Sequence, residues 1–172
     1  MVSVHAVRHA RAADLVGLAA IEDAGVPLFE SVLGDLTGDP LASPAPPGRH
    51  RVDEPGFLLV AGDPAVAFAH VRFHDDWAHL EQVSVHPDAM RQGLGTTLVR
   101  AAMEEARWAG FDRISLTTYR DLPWNGPFYA GLGFAEVERP EPFQQRLREQ
   151  ETALGLDRHG PRVVMQAELR RT

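Results

Sequence analysis

The sequence predicts a single domain of mixed α+β class, a central and mostly antiparallel mixed sheet of six to seven strands flanked by helices. Three observations predict it. Alternating segments between Gly56 and Val85, separated by short turns, read as an antiparallel meander. An amphipathic stretch from about Gly95 to Ala109 follows at once and reads as a long helix. A chain of 172 residues, 44% hydrophobic, can bury one sizeable core, and nothing in its length requires a second.

The chain opens on a short alternating run from Val4 to Arg8. Asp14 then stands as an N-cap ahead of Leu15, Leu18, Ala19 and Ile21 at helical spacing. Val26 to Leu36 predicts a second helix. Gly, Pro and Ser collect over 37–55, which reads as an exposed, flexible loop able to fold over a substrate. Strands follow over Phe57 to Ala61, Ala65 to Phe73 and Ala78 to Val85, joined by Gly62-Asp63-Pro64 and His74-Asp75-Asp76-Trp77. After a turn at His86-Pro87-Asp88, the long helix carries Leu94, Leu98, Ala102, Ala106 and Ala109 on one stripe and ends at Gly110. Ile114 to Thr118 is a short buried strand, Trp124 to Leu132 a short helix closed by Gly133, and Phe134 to Glu138 another strand. Pro142 to Leu154 predicts a helix and Arg162 to Leu169 the last strand. The order over 1–172 is β-α-α-β-β-β-α-β-α-β-(α)-β.

Composition removes several function classes. There is no cysteine, so disulfides, thiolate metal sites and a cysteine nucleophile are excluded. All 17 basic residues are arginine, and a net charge of −7 argues against nucleic acid as a partner. The N-terminus lacks a basic region followed by an apolar stretch, and no segment approaches the roughly 18 apolar residues of a membrane span, so a soluble cytoplasmic protein is expected. His70 and His74, four apart on a strand, lie over roughly 12 Å from each other in rise and predict no metal site.

The segment Arg91-Gln92-Gly93-Leu94-Gly95-Thr96 carries the strongest chemical signal. A helix entered through glycines presents unpaired backbone N–H groups, and glycine lets a diphosphate touch the backbone itself. Two nucleotide motifs fail here. A P-loop needs a lysine, and the chain has none; a dinucleotide fingerprint needs a third glycine where Leu98 stands, in a first strand-helix unit.

With its preceding strand, Leu80 to Pro87, this loop resembles motif A of the GNAT acetyltransferase superfamily. A second element, Asn125-Gly126-Pro127-Phe128-Tyr129-Ala130-Gly131-Leu132-Gly133-Phe134, is similar to that family's Asn…Tyr-x-x-x-Gly-Phe signature. Two departures stand out: Met90 replaces the usual Arg or Gln at the loop's opening, and Asn125 precedes Tyr129 by four positions rather than seven. The resemblance covers most of the chain, best from Gly56 to Phe134, and implies an N-acetyltransferase using acetyl-CoA as acyl donor without a metal. It implies that Val83, Ser84 and Val85 pair with the pantetheine arm, that Arg91, Gln92, Gly93, Leu94, Gly95 and Thr96 surround the pyrophosphate, that Asn125 makes a cofactor or helix-start contact, and that the chain forms a homodimer through its C-terminal segment. The acceptor is then a small-molecule or peptide amine.

Acetyl transfer to an amine needs a deprotonated nitrogen, a stabilised oxyanion and a proton for the leaving thiolate. An alkylamine titrates at about 10.4, so a base is needed near neutrality. Glu81 is the first candidate: strand alternation puts it on the face of Val83 and Val85, whose apolar neighbours raise a carboxyl's pKa. His79 is its rival, two residues earlier on that face, with an unperturbed pKa near 6.5. A backbone N–H from Val83 to Val85 would take the oxyanion, and the resemblance makes Tyr129 the general acid. The alternative is a non-catalytic acyl-CoA-binding regulatory domain, to which Met90 and the displaced Asn125 give support.

Overall fold

The computed structural model describes residues 5–169. Seven strands form one sheet, in the spatial order first, second, third, fourth, fifth, seventh, sixth. They are β1 (Val7–His9), β2 (Gly56–Gly62), β3 (Ala65–His74), β4 (Trp77–Val85), β5 (Arg113–Tyr119), β6 (Ala135–Glu136) and β7 (Arg162–Glu168). Every pairing is antiparallel except β4 with β5. The helices are α1 (Leu18–Asp23), α2 (Val26–Leu33), α3 (Leu94–Trp108), α4 (Gly126–Ala130) and α5 (Pro142–Ala153). Val4, which opens the expected first strand, lies outside the described residues.

The sheet is covered on both faces, which accounts for the long buried runs in its inner strands. On one face, Leu94, Leu98, Val99, Ala102 and Ala106 of α3 pack on Leu59, Val71, Leu80, Ile114 and Leu116. The expected stripe stops at Ala106, because Ala109 is an exposed C-cap. Leu98 is fully buried, and cutting it to alanine would cost about 2–5 kcal/mol. On the other face, Leu18 and Ile21 of α1 cover Leu58, Val60 and Phe68. Phe143 of α5 stacks on His74 there, ring centroids 4.8 Å apart.

Asp14 does not cap α1. A 3-10 turn over Ala12–Gly17 precedes that helix, and Asp14 sits at its third position, accepting a hydrogen bond from the Arg11 N–H at 2.7 Å and pairing with Arg8 at 2.7 Å. The Arg8 hydrogen bond pulls its carboxyl down to about 2. The segment 37–55 contains 3-10 turns at Pro40–Ala42 and Gly48–Val52. It carries Arg51 inward over the Phe68 ring, 4.8 Å from its centroid. Asp39 accepts a hydrogen bond from His159 at 2.9 Å, which ties this segment to the turn Leu156–His159 before β7.

Candidate active site

Two irregularities of the sheet create the cleft. β4 and β5 pair only at Ala78 with Ile114 and His79 with Ser115, and beyond those residues they diverge. Just past that vertex the register of β4 against β3 slips: Leu80 faces Val71 and Gln82 faces His70, leaving Glu81 as an extra, bulged residue. A bulge bends its strand and sharpens the twist, which turns the far half of β4 away from β5. The two open edges, near residues 82–85 and 116–119, line a cleft of about 770 Å³. Backbone groups along such edges are available to an extended ligand.

The bulge also corrects the expected facing of the strand. Cross-strand partners share a face, and Val83 and Val85 lie opposite Ala69 and Ala67 toward α3, as Leu80 lies opposite Val71. His79 lies opposite Arg72 on the other face. Glu81 approaches that same Arg72, 3.9 Å from its guanidinium, so it does not share the face of Val83 and Val85. The inserted residue reverses the alternation on which the expectation rested.

Both candidate bases line the cleft in opposite electrostatic states. Burial raises the Glu81 carboxyl above the usual carboxylate range, against the opposing pull of Arg72. Its side chain keeps a third of its surface accessible, and the residue lines the cleft. His79 is 2% exposed, its Nδ1 lies 2.9 Å from the Ser115 hydroxyl at the vertex, and burial pushes its pKa down to about 3. An imidazolium that acidic does not hold a proton taken from an amine, whereas a carboxylate of raised pKa is better matched to the task.

The opposite wall is the mouth of α3. Gly93 is its N-cap, with φ +75°, and no side chain caps the first turn, so the N–H groups of the residues that follow are left for a ligand. Arg91 is also left-handed, with φ +61°, which folds the loop back over that helix end. Arg91 makes no ion pair among the described residues. Of the residues expected to hold a donor, Val83, Ser84, Val85, Arg91, Gly93, Leu94, Gly95, Thr96 and Asn125 all line the cleft, as does Met90. Gln92 is exposed and is not part of that lining.

Tyr129 is held by a Schellman C-cap, which explains the spacing of its motif. The Phe134 N–H donates to the Tyr129 carbonyl at 3.1 Å and the Gly133 N–H to that of Ala130 at 3.1 Å. Gly133 supplies the left-handed turn at φ +97°, and Phe134 packs back on the Tyr129 ring, 5.8 Å between centroids. The Tyr129 hydroxyl has no hydrogen-bond partner among the described residues, and burial raises its pKa to about 12. Asn125 caps α4 with its backbone, its carbonyl accepting from the Tyr129 N–H at 3.0 Å, while its side-chain amide donates to the Trp124 carbonyl at 3.3 Å.

The end of the cleft away from the glycine loop is built from residues that sequence reasoning did not select. Glu22 of α1, its pKa raised by burial, pairs with Arg51. Glu151 of α5 accepts hydrogen bonds from Arg162, Arg148 and Thr117. Burial alone would raise Glu151, and those bonds hold it below the usual range instead. Only the spacing Arg148-x-x-Glu151, a helical ion pair, hinted at this group. Phe29, Tyr119 and Trp124 line the same region, whereas Trp77 lies under Phe143 and Arg113 outside it.

The sequence model of the acetyltransferase (GNAT) family matches residues 26–134. The fold is similar to that of the ribosomal-protein-alanine N-acetyltransferase from Escherichia coli, 19% identical, covering 98% of this chain and 96% of that one, with a TM-score of 0.68. It is similar to PaiA N-acetyltransferase from Thermoplasma acidophilum in complex with coenzyme A, 14% identical over 95% of this chain and 98% of that one, TM-score 0.69. N-acetylglutamate synthase from Neisseria gonorrhoeae, complexed with coenzyme A and N-acetyl-glutamate, is 20% identical, with a TM-score of 0.67 over 96% of this chain and 35% of that one. Among the described residues, no helix is long and apolar enough to cross a membrane.

Proposed function

The chain belongs to the acetyltransferase (GNAT) family, and from that premise we propose that it moves the acetyl group of acetyl-CoA directly to a primary amine, with both substrates bound together. The observation that carries this reading is the fork between β4 and β5, with Glu81 at its bulge and the uncapped end of α3 on its rim. A pantetheine arm fits the open β4 edge as an added strand, and the pyrophosphate fits the N–H groups after Gly93.

In the proposed reaction Glu81 takes one proton from the arriving ammonium and releases it to solvent. It then takes the second from the nitrogen once that nitrogen has attacked, and this proton restores the Tyr129 phenol at the end of the cycle. The nitrogen bonds to the thioester carbon, and a backbone N–H of the Val83 to Val85 segment holds the resulting oxyanion. As the carbon–sulfur bond breaks, the Tyr129 phenol donates its proton to the thiolate; burial raises the phenol to about 12 and makes it the weaker acid of the two, so the transfer relies on the hydroxyl being held beside the sulfur. His79, hydrogen-bonded to Ser115, then serves as a neutral brace at the vertex rather than as the base. No cysteine is present to carry an acyl group, which favours transfer without an acyl-enzyme.

The test is CoA release from acetyl-CoA over a panel of primary amines, with CoA binding measured in parallel by calorimetry. Catalysis predicts amine-dependent CoA release and an N-acetylated product. Tight CoA binding with no release above background for any amine would leave the regulatory alternative, in which Glu81 and Tyr129 do no chemistry.

A further inference from the structure

The acceptor end of the cleft is lined by more carboxylates than guanidiniums and is crossed by a bridge. Four carboxylates, Glu22, Asp23, Glu81 and Glu151, line the cleft against two guanidiniums, Arg91 and Arg162. Arg91 stands on the glycine loop, at the donor end. Arg162 is already engaged: its Nε and Nη2 donate to the two Glu151 oxygens at 3.0 and 2.9 Å, and its side chain is 12% exposed. Behind the wall, Arg51 is paired with Glu22, and Arg72 with Glu54 and Glu81. A carboxylate brought in beside the acceptor nitrogen would therefore meet other carboxylates and, among the described residues lining this end, only a guanidinium already committed to Glu151, a costly arrangement.

Two further features narrow the acceptor. Phe29 and Trp124 meet edge to face, 5.5 Å between centroids, and Leu154 stands 60% exposed where α5 borders the cleft. Aromatic faces beside carboxylates suit a cation with an apolar body. The Asp39–His159 bond carries the 37–55 segment across to the turn before β7, and Leu41 from one side of that bridge and Leu156 from the other both line the cleft. That bridge crosses the end of the cleft and narrows it.

Building on the acetyl-transfer reading, we propose that the acceptor is a small primary amine with an aromatic or apolar body and no carboxylate beside its nitrogen. Its ammonium is drawn in by the Glu22 and Glu81 carboxylates, and its body lies against Phe29 and Trp124.

The experiment compares phenethylamine, phenylalanine, ethylamine and a phenylalanine-initiated tripeptide as acceptors, with CoA release and product mass as readouts. The kcat/KM for phenethylamine should exceed that for phenylalanine, which differs by the carboxylate alone, by about 100-fold or more. It should exceed that for ethylamine by roughly 10- to 100-fold, and Trp124→Ala should shrink this ring preference to within about threefold. Preference for phenylalanine or the tripeptide, or equal use of phenethylamine and ethylamine, would overturn the acceptor class. Such turnover, if abolished by Glu81→Gln, would leave the acetyl-transfer reading standing. Failure of every amine despite CoA binding would overturn both.

Discussion

The two ends of the cleft, proposed to hold the donor and the acceptor, are made of different material. At the donor end the contacts on offer are main-chain ones: the N–H groups after Gly93 and the open edge of β4 beyond the bulge. At the acceptor end they are side chains drawn from α1, α2, α5, β4 and the segment before α4, with Glu22 paired to Arg51 and Glu151 to Arg148 and Arg162. Main-chain recognition tolerates exchange of side chains as long as the backbone path survives, so Met90 at the opening of the loop is compatible with the proposed donor site. Side-chain recognition has no such tolerance.

This contrast predicts that substitutions at the acceptor end act on turnover and those at the donor end on CoA affinity, with the former larger. Glu81→Gln should lower kcat/KM by about 10²- to 10⁴-fold while leaving the calorimetric Kd for CoA nearly unchanged. The wild-type rate should rise with pH as the carboxyl, raised by burial, loses its proton above the usual carboxylate range, and the variant should lack that limb. A large loss of CoA affinity in this variant would break the division. Tyr129→Phe should reduce kcat by roughly 10- to 100-fold, and less so with an acetyl thioester whose leaving thiol is more acidic. An undiminished effect with that donor would assign Tyr129 to packing with Phe134 instead.

On the donor side, Gly93→Val places a branched side chain at φ +75°, which costs roughly 1–2 kcal/mol and weakens CoA about tenfold. The KM for the amine should barely move. Arg91→Ala is expected to have the smallest effect, a loss of about two- to fivefold in CoA affinity that fades at high salt, because an exposed guanidinium adds charge to a contact built from N–H groups. If Arg91→Ala weakened CoA more than Gly93→Val, the donor end would depend on side chains after all.

The same contrast explains what could be read from the sequence. Elements whose signals are local were legible: the meander, the α3 stripe from Leu94 to Ala106, the glycine loop, and the Tyr129 to Phe134 turn, whose spacing a Schellman cap dictates over six residues. The bulge was not. Nothing in the run from Ala78 to Val85 announces an inserted residue, because a bulge is a relation between β4 and β3 rather than a property of either, so strict alternation assigns Glu81 to the opposite face from the one it occupies. The acceptor wall was hidden for a similar reason. Glu22, Arg51, Glu151 and Arg162 are brought together only by tertiary packing, and each alone looks like an ordinary surface charge. Asp14 has the sequence position of a helix cap but serves a 3-10 turn and Arg8 rather than α1, a choice made by contacts that its neighbours in sequence do not reveal.

The inserted residue in β4 links two traits that selection would otherwise handle separately. Losing Glu81 by deletion would remove the carboxylate and also let β4 run on in step with β3, straightening the strand that now swings clear of β5. On the proposed reading, the opening for the thioester and the group that works beside it thus share one codon. A lineage drifting away from this chemistry by that route would lose both in a single event and gain a more regular sheet, whereas a lineage keeping the pocket for binding alone would have to exchange the residue and retain its place in the count.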